Sequence, residues 1–405
     1  MTDSVLRQSR DISIDYSRGI GIILVILAHG LEMSFNSQSD NHVSSDAFYA
    51  WRSIYSFHMP LFYFLSGVVV DKTKSDYIRV IKRCVYLILL ALTFHAAISV
   101  LHIPYLSVIG YPSPLQANIA HILRPFVKGD GFDPFIVWFL VSISFVQLGA
   151  FIMYSNNAFG KALVWVVIIY SIMCTLYDAP NFWQIRSFAP GLMFFVFGMH
   201  YRQTQSRYVL AYAVIYGCLC VLTGPLNHGC VLSFSSVCPD TLYGNFAVWL
   251  IIGKIGYAPL FIFTAITGVL AVHGFAQFAA WNISYPAPVL SWVGRNSLEL
   301  MLVNGVFIDF INPHLGELSF YNMYIFGFEL SMIIISQVLI LAITLPLFKM
   351  FESFVERLAD WTVKRLPLQK ATRACQSLSN ILRQIAFIIT HAQPSTEPPD
   401  APIGD

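Results

Sequence analysis

The chain has 405 residues, of which 56% are hydrophobic and 11% charged. Soluble domains carry about 25% charged residues, and a soluble protein this apolar lacks the polar groups to cover its surface, so the composition excludes an ordinary soluble globular protein. The formal net charge of +2 is too small to point to a nucleic-acid partner.

The first apolar run, residues 20–28, is followed by His29 and Glu32 instead of a small-residue cleavage site. It therefore reads as a retained membrane span and not as a signal peptide. A span needs about 20 mostly apolar residues. In chain order, candidate spans cover residues 14–35, 54–70, 84–101, 134–154, 162–177, 189–201, 209–222, 256–275, 297–311 and 324–348. The apolar stretch 245–275 is too long for one upright span and contains Lys254. Residues 245–252 read as an interfacial or re-entrant lead-in, with an eleventh span as the other reading.

Charge placement favours ten spans. With the N-terminus cytoplasmic, Lys72, Lys74, Arg79, Lys82 and Arg83 fall inside, as do Arg202, Arg207, Arg295 and the basic tail from Lys349 to Arg383. The expected outer loop 36–53 has one basic residue and 225–244 has none, as the positive-inside rule requires. The fold class is thus an all-α polytopic membrane protein with about ten transmembrane helices and both termini cytoplasmic. Residues 1–350 form the transmembrane domain and 351–405 a cytoplasmic tail. In that tail, 351–366 reads as an amphipathic helix lying on the membrane surface, and the Pro-rich acidic end as disordered. Cys230 and Cys238 share one expected outer loop, as a disulfide or as two free thiols.

Ionisable groups inside spans are costly, and each is by default a functional hypothesis. Arg18 and His29 are eleven residues apart, close to three full helical turns and about 16 Å along the axis. Asp15 lies a turn before Arg18 and Glu32 a turn after His29, so the four make one polar stripe. Arg18 has the planar fork to grip an anion such as a phosphate. His29 is the candidate general base, with Glu32 to orient the imidazole. The bland alternative is a snorkelling arginine and a histidine bonded to a neighbouring helix. His58 is expected at the outer end of the second span, where Pro60 can kink the helix. Ser66 and Gly67 read as helix packing. His95 and Glu299 are further buried candidates, with Glu299 placed to pair with Arg18 or another cation. The basic cluster Arg79, Lys82 and Arg83 serves either topology alone or a phosphate-rich ligand. There is no Walker A loop, dinucleotide glycine fingerprint or GxSxG elbow, and no zinc-site spacing.

Ile14-Asp15-Tyr16-Ser17-Arg18-Gly19, with His29 eleven positions after the arginine, resembles the opening of the acyltransferase 3 family of polytopic membrane O-acyltransferases. The segment from Phe57-His58-Met59-Pro60 to Ser66-Gly67 resembles that family's second-span motif. Trp138-Phe139-Leu140 resembles its Trp-Phe-Leu segment, and Gly294-Arg295-Asn296-Ser297-Leu298 its Gly-Lys-Asn-Ser-Leu motif. Order and spacing agree over about 300 residues, nearest to the fucose 4-O-acetylase-like branch. One position departs: Asn304 stands where family members often have a histidine.

The resemblance implies a bacterial inner-membrane enzyme. It would move an acetyl group from cytoplasmic acetyl-CoA to a sugar hydroxyl of a cell-envelope or exported glycan, lipid-linked or free, without a metal. A succinyl donor is the variant within that class. Arg18, His29 and Glu32 are the implied catalytic group, with His29 as base or acyl acceptor. Asp15, His58 and Glu299 are expected on the substrate side. Arg18, Arg79, Lys82 and Arg83 are expected on the CoA side. The reading from another class is a secondary transporter or glycan exporter, since transporters also carry buried charges and broken helices.

Overall fold

A computed structural model describes residues 11–36, 45–70, 77–108, 114–155, 157–177, 179–202, 206–227, 229, 247–282, 288–315 and 323–365. Twelve α-helices run through the described residues: α1 (Ile12–Asn36), α2 (Ser45–Val68), α3 (Tyr77–Val108), α4 (Leu115–Lys128), α5 (Trp138–Tyr154), α6 (Ala158–Leu176), α7 (Ile185–His200), α8 (Val209–Thr223), α9 (Ala258–Asn282), α10 (Pro288–Arg295), α11 (Ser297–Leu315) and α12 (Met323–Arg365). No strand occurs among them; the one ladder-like pairing is an isolated bridge between Trp249 and Lys254.

Among the described residues, seven helical segments are long and apolar enough to cross a bilayer, and they belong to α1, α3, α5, α6, α8, α9 and α12. The other three expected spans coincide with α2, α7 and α11. α7 has only 16 residues. α2 carries Arg52 and His58, and α11 carries Glu299, Asn304 and Asp309. Burial explains the difference. The most apolar window of α5 is 72% buried, against 17% for α8 and 11% for α12. α8 and α12 therefore face lipid and must be apolar, whereas α2 is enclosed by α1, α7 and α9 and can carry polar groups that find partners inside.

The inner helices touch through glycine. A methyl added at Gly67 would overlap the Phe195 carbonyl, and one at Gly198 would overlap the Phe64 carbonyl. Each helix thus presents its glycine to the other's backbone, the small-residue contact that lets membrane helices approach. This carries out the packing role expected for Gly67. Gly294 of α10 does the same against α1, where a side chain would overlap the Asp15 carbonyl. The Gly-Arg-Asn segment is in this way pressed against the Asp15–Gly19 turn.

Three expectations change. α2 begins at Ser45, well before residue 54, so His58 lies in the middle of its helix and not at the outer end of a span. The added turns hold because Arg52 sits over the Phe48 ring at 4.2 Å and donates to the Pro225 carbonyl at 3.1 Å. The expected break at residue 348 is absent, and α12 runs unbroken for 43 residues to Arg365. At 1.5 Å per residue that is about 65 Å, twice a hydrocarbon core of about 30 Å. The amphipathic tail helix is therefore the extension of the last span. Finally, α4 and α10 add helices between the expected spans. α4 has its apolar residues Leu115, Ile119, Leu123, Phe126 and Val127 on one exposed face, a period hidden by Pro125 and by its short length. Cys230, Cys238 and residues 366–405 lie outside the described residues.

Candidate functional site

Two helical stripes face each other across a cavity of about 370 Å³. From α1 come Ile22, Val25, His29 and Glu32; from α2 come Tyr55, His58, Met59 and Phe62. The α1 set steps by three or four residues, and in the α2 set Tyr55 and Phe62 lie three or four residues from His58 and Met59, which keeps each set on one helix face. Phe135, Ile136 and Trp138, Met301 of α11 and residues 248–252 complete the lining.

Residues 248–252 belong to the segment expected as a lead-in. It is a hairpin and not an eleventh span. The Trp249 amide donates to the Lys254 carbonyl at 2.7 Å, and the Lys254 amide donates back at 2.9 Å. Gly253 turns the chain at φ 70°, in the left-handed region that favours glycine. Arg186 donates through Nη1 to the Ile252 carbonyl at 3.0 Å and through Nε to the Ala179 carbonyl at 2.7 Å. The Asn181 amide holds the Ile251 carbonyl. Non-helical backbone survives within a membrane protein only where it is buried in protein or lines a cavity, and here the side chains of Asn181 and Arg186 supply the missing donors.

The polar groups of the cavity form one connected set. His29 is 7% exposed and His58 5%. The Tyr55 hydroxyl lies 3.1 Å from His29 Nδ1 and donates in a short hydrogen bond to Glu32 Oε2. Direct contact of His29 Nδ1 with Glu32 Oε2 is longer, at 3.5 Å. The His29 ring meets the Phe135 ring edge-on at 5.4 Å and the Tyr55 ring at 6.0 Å. His58 Nδ1 donates to the Ile54 carbonyl at 2.9 Å, and its ring packs 4.9 Å from that of Tyr55. A carbonyl only accepts, so His58 carries its proton on Nδ1 and a lone pair on Nε2. Among the described residues, no hydrogen bond engages Nε2 of either ring.

Of the residues singled out in the sequence, the cavity brings together His29, Glu32 and His58. Asp15 and Arg18 continue the same α1 face (15, 18, 22, 25, 29, 32), but they lie below the cavity. Its lowest α1 residue, Ile22, is one turn above Arg18, about 6 Å along the axis. Asp15 is buried against α10, and Arg18 is half-buried. Ser17 fixes this turn to α9. Its hydroxyl donates to the Ser13 carbonyl at 2.8 Å, and its oxygen accepts from His273 Nδ1 at 2.9 Å.

Glu299 pairs with Lys349 of α12, which also holds Glu352 at 3.0 Å, and does not line the cavity. Lys82 pairs with Asp360 at 2.7 Å and Glu356 at 3.8 Å, tying α3 to α12. Arg79 and Arg83 lie exposed at the same end of α3. Asn304 is buried and donates to Gln337 at 3.0 Å. His95 is wholly buried with both nitrogens engaged: Nδ1 accepts from the Asp133 amide at 2.8 Å and Nε2 donates to the Ile122 carbonyl at 3.2 Å. Among the described residues, no group of three or more His, Cys, Asp or Glu side chains is placed to hold a metal.

Sequence pattern reveals neither Tyr55 nor the hairpin as part of the site. A tyrosine near a span end reads as an interfacial aromatic, and no local pattern shows that α2 lays it between His29 and Glu32. Tyr55 and His58 are three residues apart, as are His29 and Glu32, and that shared spacing is the one available signal.

Apolar helices around an interior cavity that carries two imidazoles and a carboxylate define a multi-pass helical membrane protein with a buried site. The family described as an acyltransferase domain matches residues 11–348, and the chain belongs to that family, acyltransferase 3. It is 26% identical over 312 residues to the nodulation protein NolL of Sinorhizobium fredii (strain NBRC 101917 / NGR234), covering 73% of this chain and 78% of that relative. No solved structure matches.

Proposed function

We propose that this membrane acyltransferase moves an acetyl group from cytoplasmic acetyl-CoA to a sugar hydroxyl of a cell-envelope or exported glycan, in a bacterial inner membrane. The observation that carries the reading is His29 in the cavity wall, anchored through Nδ1 and free at Nε2. Nε2 takes the proton of the acceptor hydroxyl as its oxygen attacks the thioester carbonyl. The tetrahedral intermediate collapses, the carbon–sulfur bond breaks, and the leaving thiolate takes the proton back from Nε2. Glu32, reaching the imidazole through the Tyr55 hydroxyl, supports the charge formed in between.

Arg18 continues the cavity's own face of α1 toward the cytoplasmic end. It serves as the phosphate contact for the donor, whose extended arm runs past Ile22 and Val25 to His29. Arg79 and Arg83, exposed at the cytoplasmic end of α3, add positive charge near that entrance. Lys82 is already tied to Asp360 and Glu356. Asp15, buried against α10, and Glu299, paired with Lys349, act on substrate only through the structure. His58 faces the acceptor.

Mass spectrometry of envelope glycans with and without the gene tests this reading. Loss of one acetyl mass increment, restored by the wild-type gene and not by His29→Ala, is the expected result. Unchanged glycans, or an increment of succinyl, would remove the acetyl assignment.

A further inference from the structure

The Tyr55 hydroxyl sits between two groups that the proposed reaction needs, and its single proton decides the state of the first. Glu32 as a carboxylate only accepts hydrogen bonds. The short contact between Tyr55 and Glu32 Oε2 therefore takes the hydroxyl proton. The tyrosine oxygen, 3.1 Å from His29 Nδ1, has only lone pairs left to offer that nitrogen. Nδ1 must carry hydrogen, and the lone pair of the neutral ring is placed on Nε2. Phe135 and the Tyr55 ring, both edge-on to the imidazole at 5.4 and 6.0 Å, hold its plane. Glu32 stands 3.5 Å from Nδ1, outside good hydrogen-bond distance.

We propose that Tyr55 is a positioning residue of the acyl transfer: its hydroxyl, polarised by Glu32, locks His29 in the tautomer whose Nε2 accepts the proton of the acceptor hydroxyl. Glu32 acts on the ring chiefly through Tyr55. The kinetic part of this proposal rests on the acyl-transfer reading above; the tautomer part does not.

The test uses the full-length protein in lipid bilayers. Histidines are labelled with ¹⁵N, and the His29 signals are assigned by their loss in His29→Gln. At a pH where the ring is neutral, wild-type protein shows a protonated Nδ1 and a lone-pair Nε2. Tyr55→Phe shows a mixture of tautomers. With acetyl-CoA and an envelope-glycan acceptor, Tyr55→Phe lowers kcat roughly 10- to 100-fold, short of the roughly 10⁴-fold loss of a histidine base held wholly in the wrong tautomer, while the donor KM changes less than about twofold. Glu32→Gln, whose amide can donate or accept, also mixes the tautomers. Adding it to Tyr55→Phe costs little more, because the two act as one unit.

An unchanged tautomer in Tyr55→Phe, or an unchanged kcat, overturns the proposal, as does full additivity of the two substitutions. If Tyr55→Phe fails to fold, Glu32→Gln is read by the same two measurements. If the wild-type protein transfers no acetyl group, the acyl-transfer reading falls, while the tautomer spectra still decide the role of Tyr55.

Discussion

Two groups of histidines are built into this bundle, and they look alike by composition but differ in what their nitrogens do. In one, His29 meets Tyr55 and Glu32 while His58 meets a backbone carbonyl, and each ring keeps Nε2 free beside a cavity. In the other, His95, His102 and His121 gather around Asp133. His95 has both nitrogens bound to the chain, and Asp133 Oδ2 pairs closely with His121 and lies 3.7 Å from His102. The second group joins α3 to α4 and to the turn that leads into Phe135. A buried polar group satisfied on every side holds structure together; one satisfied on one side and left open toward a cavity can do chemistry.

Substitutions can break this contrast, and the largest effect belongs to His29. His29→Ala lowers acyl transfer at least about 100-fold, the loss of a general base, with unchanged membrane content of the protein by quantitative immunoblot. The Tyr55→Phe loss of kcat comes next. His58→Gln follows, raising the acceptor KM about tenfold, the value of one hydrogen bond to substrate, with donor KM unchanged in initial-rate assays. In the second group, His95→Ala orphans the Asp133 amide and takes one donor from the Ile122 carbonyl. It costs about 1–3 kcal/mol, read as a lower thermal midpoint in detergent, and leaves activity per folded molecule within about twofold. The smallest effect is at His121, 46% exposed. His121→Gln shifts stability by about 0.5 kcal/mol or less, as exposed ion pairs do.

The first group is largely legible in the sequence. Helical spacing alone puts residues 15, 18, 29 and 32 of α1 on one face, and the cavity adds Ile22 and Val25 to that same face. Family motifs mark where neighbours press in, and Gly67 and Gly294 do meet facing backbones. The rest depends on contacts between segments far apart in the chain. A separation of 26 positions between His29 and Tyr55 hides their hydrogen bond. The extra turns of α2 rest on a carbonyl at Pro225. Glu299 finds its cation at Lys349, fifty residues on and in another helix. His95 looks as functional as His29 because a one-dimensional pattern shows that a histidine is buried but not which of its nitrogens is already engaged.

The central claim, that the open histidine performs the chemistry and the satisfied one holds the structure, meets its most direct test in one assay. Purified wild-type, His29→Ala and His95→Ala proteins are reconstituted in liposomes with labelled acetyl-CoA and an envelope-glycan acceptor, and transfer is normalised to folded protein. The expected result is that His29→Ala loses transfer at least about 100-fold while His95→Ala keeps the wild-type rate per folded molecule. Transfer by His29→Ala at the wild-type rate, or a loss in His95→Ala as deep as that in His29→Ala, would contradict it.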